Sequence, residues 1–256
     1  MERQKPISFN ERNQLILPSS NNPLQWQLEE LQEFAEKKLL KIKEKKTNLM
    51  KFNFAKNYDF PPELSIGGFS NQLEVIRETK LLGVIITDDL RWAANTEYIC
   101  KRAYKRMWTL RRMKRLDVEP YVMLDVYMKE IRAVLELAVP AWHSGLTKRQ
   151  AAEIERVQRV ACNIILSDSK TGICDFSYDM ALVTLGLEPL EVRRRKLCET
   201  FARKTLNSRH SSMFSLNLNQ YQTRNRCTYS TYIAKTKRCY NSPLIYLTRL
   251  LNGKEQ

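Results

Sequence analysis

The sequence predicts a mainly α-helical protein with a small antiparallel β-sheet, an α+β fold class. From Trp92 onward, apolar residues recur at spacings of three and four, which places them on one face of successive helices. Before Trp92, short apolar or alternating runs are separated by turn residues, as is typical of strands. Glycine is scarce, with 7 in 256 residues, and 28% of the residues are charged, which favours helices with a hydrated surface.

Several segments before the helical part predict the strands of this sheet. Thr47–Phe54 alternates polar and apolar side chains and suits a half-buried strand. Leu64–Ile66 and Leu73–Ile76 flank a Gly-Gly pair, which predicts a hairpin. Leu81–Ile86 is an apolar, partly β-branched run of strand length and predicts a buried strand. Together the last three segments predict a small antiparallel sheet.

The helices are predicted from apolar spacing and from their end signals. Pro140 is expected to end one helix, and Thr147 with Gln150 forms a capping box that begins the next. Gly186 is expected to end a short helix, and Pro189 occupies a first-turn position in the helix after it. The helical patterns cover about 24–45, 99–115, 124–138, 147–166, 180–185 and 190–201.

The second of these helices is strongly basic on every side except its apolar face. That apolar face consists of Ile99, Ala103, Met107, Leu110 and Met113. The basic residues are Lys101, Arg102, Lys105, Arg106, Arg111, Arg112, Lys114 and Arg115, and no acid stands between Ile99 and Leu116. Because such a helix repels itself, it is most stable beside an external polyanion. Tyr104 and Trp108 lie on the basic side, where they can stack on bases or sugars. The alternative is a solvated helix face.

A second basic cluster lies in the helix that follows Pro189. Arg193 and Arg194 begin the run Arg-Arg-Arg-Lys, and we expect them to contribute to nucleic-acid binding. A nuclear-import signal and a solvated helix face are the alternatives. The segment after Asn207 mixes tyrosines with basic residues, which suits either single-stranded nucleic acid or a tail that wraps the helical body.

The composition indicates which classes of partner and which cellular compartment to expect. The net charge of +15 and the pI near 9.6 favour anionic partners, with nucleic acid first and a membrane surface second. No apolar run approaches the length needed to span a bilayer, and the amino end has no apolar core of signal-peptide length. We therefore expect a nuclear or cytoplasmic protein that is neither secreted nor embedded in a membrane.

Metal and acid–base chemistry have weak support in the sequence. The six cysteines are far apart and show no Cys-x-x-Cys pair, so scattered reduced thiols are expected and no metal site is predicted. His143 follows Trp142 with no nucleophile or paired carboxylate to suggest a general base, and we expect a structural histidine.

Four stretches of the chain resemble one family of proteins. ETKLLGVIITDDLRWAANTEYICKRAYKRMWTLRRMK resembles the junction of palm and thumb in the reverse transcriptases of jockey-like non-LTR retrotransposons. VYMKEIRAVLELAVPAWHSG is similar to the next thumb helix, and QAAEIERVQRVACNIIL to the helix that follows. RCTYSTYIAKTKRCYNSPLIYLTRLLN is similar to the carboxyl end of such polyproteins. The resemblance covers most of the chain from about Leu24.

This resemblance implies a domain organisation. It implies a partial palm over 24–92 and a helical thumb-like domain over 93–206, while the composition predicts a flexible segment over 1–23 and a basic carboxyl-terminal tail over 207–256. Leu82 and Gly83 match the Leu-Gly segment of the family's primer grip, and they are expected to form a primer-facing turn.

The catalytic hairpin of the family precedes its Leu-Gly strand, whereas Asp88 and Asp89 follow Leu82-Gly83. We therefore expect these two acids to form a turn between strand and helix. No catalytic residue and no cofactor is predicted, and Mg²⁺ is expected only in an intact parent polymerase.

The predicted function is that of a catalytically incomplete reverse-transcriptase-like fragment. It is expected to bind RNA or DNA duplex through backbone phosphates without sequence preference, and not to polymerise. A palm-containing reverse transcriptase chain is a further expected partner. The alternatives are a helical protein-interaction remnant of a mobile element with no activity of its own, or a part of an RNA-directed DNA polymerase that is active only with the missing palm. A polymerase that uses Asp88 and Asp89 is a less favoured alternative.

Overall fold

The structure, a computed structural model, describes residues 8–9, 15–16, 23–43, 46–52, 73–167, 176–217, 227–231 and 233–253. The described chain is mainly helical, with three two-stranded sheets, and the predicted α+β class is confirmed. It divides into two compact units, Met1–Glu78 and Thr79–Gln256. This division differs from the boundary implied by the resemblance, since residues 79–92 belong with the helices.

The first unit contains two short strand pairs and one helix. Strands β1 (Ser8–Phe9) and β2 (Leu15–Ile16) pair antiparallel within the predicted flexible segment. Helix α1 (Pro23–Lys37) ends before the predicted Lys45. Ala35 is buried, but Leu31, predicted on the same apolar face, is 53% exposed.

The pairing of β3 (Asn48–Met50) with β4 (Glu74–Ile76) corrects the predicted sheet. These strands run parallel, with Leu49 opposite Val75, rather than as parts of an antiparallel sheet. A long connection makes this possible, because parallel strands cannot be joined by a tight turn. The predicted strand Leu64–Ile66 lies outside the described residues.

A hairpin begins the helical unit, and it also corrects the prediction. The run Leu81–Ile86 is not one strand, because β5 (Glu78–Leu81) ends there and β6 (Val84–Thr87) begins after a two-residue turn. Leu82 and Gly83 both have positive φ, at 48° and 90°, as a type I′ turn requires. The turn expected at these two residues is therefore present, and Leu82 is 90% exposed at its tip. Asp88 and Asp89 form the expected turn after β6.

Seven helices follow the hairpin and build the core. They are α2 (Ala93–Arg115), α3 (Pro120–Val126), α4 (Ala133–Leu135), α5 (Val139–Trp142), α6 (Lys148–Leu166), α7 (Tyr178–Leu185) and α8 (Leu190–Leu206). A π-helix (Tyr127–Arg132) joins α3 directly to α4. Ala138 adopts a left-handed conformation with φ 52°, which separates α4 from α5. Pro140 consequently lies in the first turn of α5, and the prediction that it ends a helix is wrong.

Helices α2 and α6 form the centre of the bundle and run parallel to each other. At their amino ends, Gln150 Nε2 donates to the carbonyl oxygen of Arg91 at 2.9 Å. At their carboxyl ends, Lys114 Nζ donates to the carbonyl oxygen of Ile165 at 3.0 Å. The predicted capping box of Thr147 with Gln150 begins α6 and is confirmed. Apolar side chains of α2, α3 and α6 fill the space between them: Ile99, Ala103, Met107, Leu110, Met123, Ile154, Val157, Ala161 and Ile165.

The carboxyl-terminal region is partly built into this core. Helices α9 (Lys237–Tyr240) and α10 (Pro243–Leu251) are described, and α10 packs against α8 and α5. Ile245, Leu247 and Leu250 are buried there. Of the two possibilities for the region after Asn207, the described residues therefore favour a segment that packs on the helical body.

Candidate nucleic-acid interface

The exposed side of α2 carries most of the residues predicted to bind nucleic acid. Burial of Ile99, Ala103, Met107 and Leu110 fixes the rotation of the helix about its axis. The residues that then face solvent fall at spacings of three and four, so they form one continuous stripe. We call this stripe the α2 basic face: Lys101, Tyr104, Lys105, Trp108, Arg111, Arg112 and Arg115, all of which are exposed. At about 1.5 Å per residue, it is about 21 Å long.

Most of the positive charge on the α2 basic face is uncompensated. Lys101 Nζ lies 2.5 Å from Glu97 Oε1, a partner that stands just before the acid-free stretch of the sequence. This pair is exposed at both ends, so it contributes little to stability and is readily exchanged for another anion. The other four cations, Lys105, Arg111, Arg112 and Arg115, have no carboxylate partner among the described residues.

Two aromatic side chains interrupt the cations on this face. Trp108 is 62% exposed, and the guanidinium carbon of Arg112 lies 5.7 Å from the centre of its indole ring. Tyr104 is also exposed, one turn earlier on the same side. An exposed ring beside cations can stack on a base or a sugar while the cations contact phosphates.

The other predicted basic residues of α2 have partners within the helical unit. Arg106 donates to the backbone carbonyl of Glu130, and its Nη1 lies 3.3 Å from the Glu130 carboxylate. Lys114 donates to the last turn of α6, where a cation interacts favourably with the helix dipole. Arg102 Nη1 donates to the hydroxyl of Tyr98 at 3.3 Å. These three residues flank the α2 basic face and are not part of it.

The two arginines of the second cluster that were predicted to bind nucleic acid are half-buried and buried, respectively. Arg193 is half-buried and donates to both carboxylate oxygens of Glu136, with Nη2 3.2 Å from Oε2. Arg194 is 1% exposed and lies inside the bundle, so the prediction that it contacts nucleic acid is wrong. The spacing of Leu190 and Cys198, four residues on either side, already places Arg194 on the buried face of α8.

The interior around Arg194 is unusual for a buried charge. Arg194 Nε lies 3.4 Å from His143 Nδ1, while its two terminal nitrogens are buried and have no hydrogen-bond partner among the described residues. Burial lowers the pKa of Arg194, and burial followed by the Arg194 charge lowers the pKa of His143 to about 4. His143 is therefore neutral at pH 7, as expected for a structural histidine.

The hairpin tip and the acidic turn lie in the same unit as α2. A Cβ atom on Gly83 would lie 2.9 Å from Leu137 Cδ2, a flexible side-chain end that can shift, so it is the φ of 90° that favours glycine in this turn. The carboxylate of Asp89 accepts hydrogen bonds from Thr87 Oγ1 at 2.8 Å and from the Arg91 backbone at 3.1 Å. Burial raises the pKa of Asp89, but these hydrogen bonds and the Arg91 charge outweigh it, so the pKa is lowered.

One group near the hairpin was missed by sequence reasoning. Lys80 of β5 lies with its Nζ 4.8 Å from the centre of the Tyr98 ring, on the same tyrosine that accepts from Arg102. Lys80 is separated from the basic run by the whole of β6, and Tyr98 precedes that run, so no spacing rule joins them. Only the antiparallel return of the hairpin brings Lys80 to α2.

Among the described residues, no three His, Cys, Asp or Glu side chains lie close enough together to hold a metal ion. No described helix is long and apolar enough to cross a bilayer. Of the described cysteines, Cys100, Cys198 and Cys239 are free thiols. Comparison of the chain with protein-family models, with curated proteins and with solved structures finds no match.

Proposed function

We propose that this protein binds RNA or DNA duplex through backbone phosphates, along the α2 basic face. The observation that carries the proposal is the α2 basic face, about 21 Å of helix on which four of the five exposed cations have no carboxylate partner among the described residues. That length faces about six base pairs of a duplex, at about 3.4 Å per pair. Because phosphates carry no sequence information, the binding is not sequence-specific.

The aromatic residues of the face extend the proposal to exposed bases. Trp108 and Tyr104 are placed to stack where a duplex ends or opens, and stacking does not depend on salt as phosphate contact does.

We also propose that the chain is the carboxyl-terminal part of a reverse transcriptase of the non-LTR class, that it acts in the nucleus or cytoplasm, and that it does not polymerise alone. A templated product in a primer-extension assay with Mg²⁺ would overturn this last statement.

The test of binding is a salt titration with a short fluorescent RNA:DNA duplex. The logarithm of the binding constant falls linearly with the logarithm of salt concentration, by about 0.9 for each phosphate contact. A triple variant with Lys105→Ala, Arg111→Ala and Arg112→Ala loses up to three contacts. We expect the slope of this plot to become less negative by about two to three.

A charge-matched variant separates local contact from net charge. It removes three exposed cations from other helical segments, each of which is balanced by an acid four residues away. The substitutions are Lys129→Ala, Arg149→Ala and Arg203→Ala. Its net charge equals that of the α2 variant, so long-range attraction falls equally in both. Equal slopes in the two variants would refute the α2 basic face as the binding surface.

A further inference from the structure

Two cations meet at one neutral side chain beside the hairpin. Arg102 Nη1 donates to the hydroxyl of Tyr98 at 3.3 Å, and its guanidinium carbon lies 5.5 Å from the centre of the ring. Lys80 Nζ lies 4.8 Å from the centre of the same ring. Tyr98 and Arg102 are half-buried and Lys80 is exposed, so the group opens to solvent.

No described carboxylate compensates these two charges. Neither Lys80 nor Arg102 forms an ion pair among the described residues, although the hairpin and the helix bring them together on one ring. Their mutual repulsion is removed when an anion binds between them. The lowered pKa of Tyr98, due first to Lys80 and then to Arg102, reflects the same positive potential at the hydroxyl.

The group continues the α2 basic face toward the hairpin. Arg102 follows Lys101 directly and lies one turn before Lys105, on the flank of the face nearest β5. The exposed tip residue Leu82 comes two residues after Lys80. A strand that contacts Lys80 and Arg102 therefore lies close to Leu82 as well.

We propose that Lys80, Tyr98 and Arg102 form a single phosphate subsite, which holds one backbone phosphodiester of the bound strand beside the hairpin tip. The ammonium and guanidinium groups both donate to the same phosphate, and the tyrosine hydroxyl donates a third hydrogen bond once Arg102 turns to the anion. The subsite rests on the proposed function. It adds to that function one position at which the bound strand is held beside the hairpin.

A salt titration of the double variant Lys80→Ala, Arg102→Ala tests the shared phosphate. Because both cations serve one phosphate, the slope should become less negative by about one, and the affinity should fall about eightfold at about 0.1 M salt relative to 1 M. A change of about two would mean two separate contacts and would overturn the single subsite. The control variant Lys129→Ala, Arg203→Ala removes two cations that acids balance.

The outcomes separate this inference from the proposed function. If the triple variant of the α2 basic face weakens binding and the Lys80, Arg102 variant matches its control, the subsite is refuted while the proposed function stands. If neither variant differs from its control, the proposed function is refuted as well. Stronger loss of binding to phosphatidylserine vesicles than to the duplex would assign the group to a membrane surface and overturn the proposal.

Titration of Tyr98 gives a second readout that does not depend on affinity. Tyrosine ring carbons labelled with ¹³C report ionisation by NMR, and Tyr98→Phe identifies the resonance. A bound phosphate neutralises the two cations, so the pKa of Tyr98 should rise when duplex is added and also, more weakly, with inorganic phosphate. An unchanged pKa in the presence of saturating duplex would show that no phosphate reaches the group.

Discussion

Replacement of Arg194 by methionine tests the unusual charge inside the bundle. Arg194 is 1% exposed, and its Nε has a long contact of 3.4 Å to a neutral imidazole. In the part of the chain that the structure describes, its two terminal nitrogens have no hydrogen-bond partner. Glu155 and Glu191 attract the charge from a distance, and none of the ion pairs among the described residues includes Arg194. We therefore expect Arg194→Met to stabilise the protein rather than unfold it.

The expected increase in the free energy of unfolding follows from the hydrogen bonds and ion pairs that Arg194 lacks within the described part of the chain. A buried polar group without a partner costs about 1–3 kcal/mol, and a buried charge costs more unless it is well paired. Methionine is unbranched, has a flexible side chain and fits irregular space in a core. After allowance for the lost attraction to Glu155 and Glu191, we expect the free energy of unfolding to rise by about 1–3 kcal/mol. For a chain of this size, that raises Tm by about 2–4 °C per kcal/mol.

Urea unfolding followed by circular dichroism measures this change, with Arg193→Met as the matched control. Arg193 donates to both carboxylate oxygens of Glu136, so its removal should lower the free energy of unfolding by about 1 kcal/mol. Duplex binding should be unaffected by Arg194→Met, because the side chain is inside. A loss of stability above about 1 kcal/mol in Arg194→Met would refute the reasoning, since it would require partners for the guanidinium.

Two further predictions concern the same part of the bundle. The pKa of His143 is lowered to about 4, so the unfolded chain takes up its proton first, near the ordinary value of about 6.5. Stability should therefore fall, by on the order of 3 kcal/mol, as the pH decreases from about 6.5 to 4, and His143→Gln should flatten this part of the curve. A Cβ on Gly145 would lie 2.5 Å from Trp92 Nε1, and Trp92 is buried, so Gly145→Ala should cost about 1–3 kcal/mol in urea unfolding. The cost should shrink when Trp92→Phe is also present, and an undiminished cost would contradict the contact.

The sequence correctly predicted helix faces and helix ends that are determined by residues one or two helical turns apart. The apolar spacing of α2, the Thr147 capping box and the end of α7 at Gly186 are all confirmed, because each depends on residues three or four apart. Elements that depend on distant partners were predicted less well. The parallel partner of β3 lies beyond a long connection, and no local pattern specifies it.

In the candidate site too, features set by local spacing were predicted and those set by distant contacts were not. Helical spacing placed Tyr104 and Trp108 on the exposed side of α2, because the apolar residues fix the rotation of the helix. The same rule, applied to the apolar residues of α8, would have placed Arg194 in the interior. Glu130, the acid partner of Arg106, lies on another helix, so the spacing of residues within α2 could not predict this ion pair. Lys80 joins the site only through the turn at Leu82-Gly83.

The hydrogen bonds that tie α2 to α6 at both ends have a mechanical consequence. Because the bond from Gln150 and the bond from Lys114 lie at opposite ends, α2 can neither slide along its axis nor rotate without breaking one of them. Only side-chain rotamers remain to be ordered when a ligand arrives, so little entropy is lost from the backbone. The helix therefore holds its exposed side chains at fixed positions relative to α6.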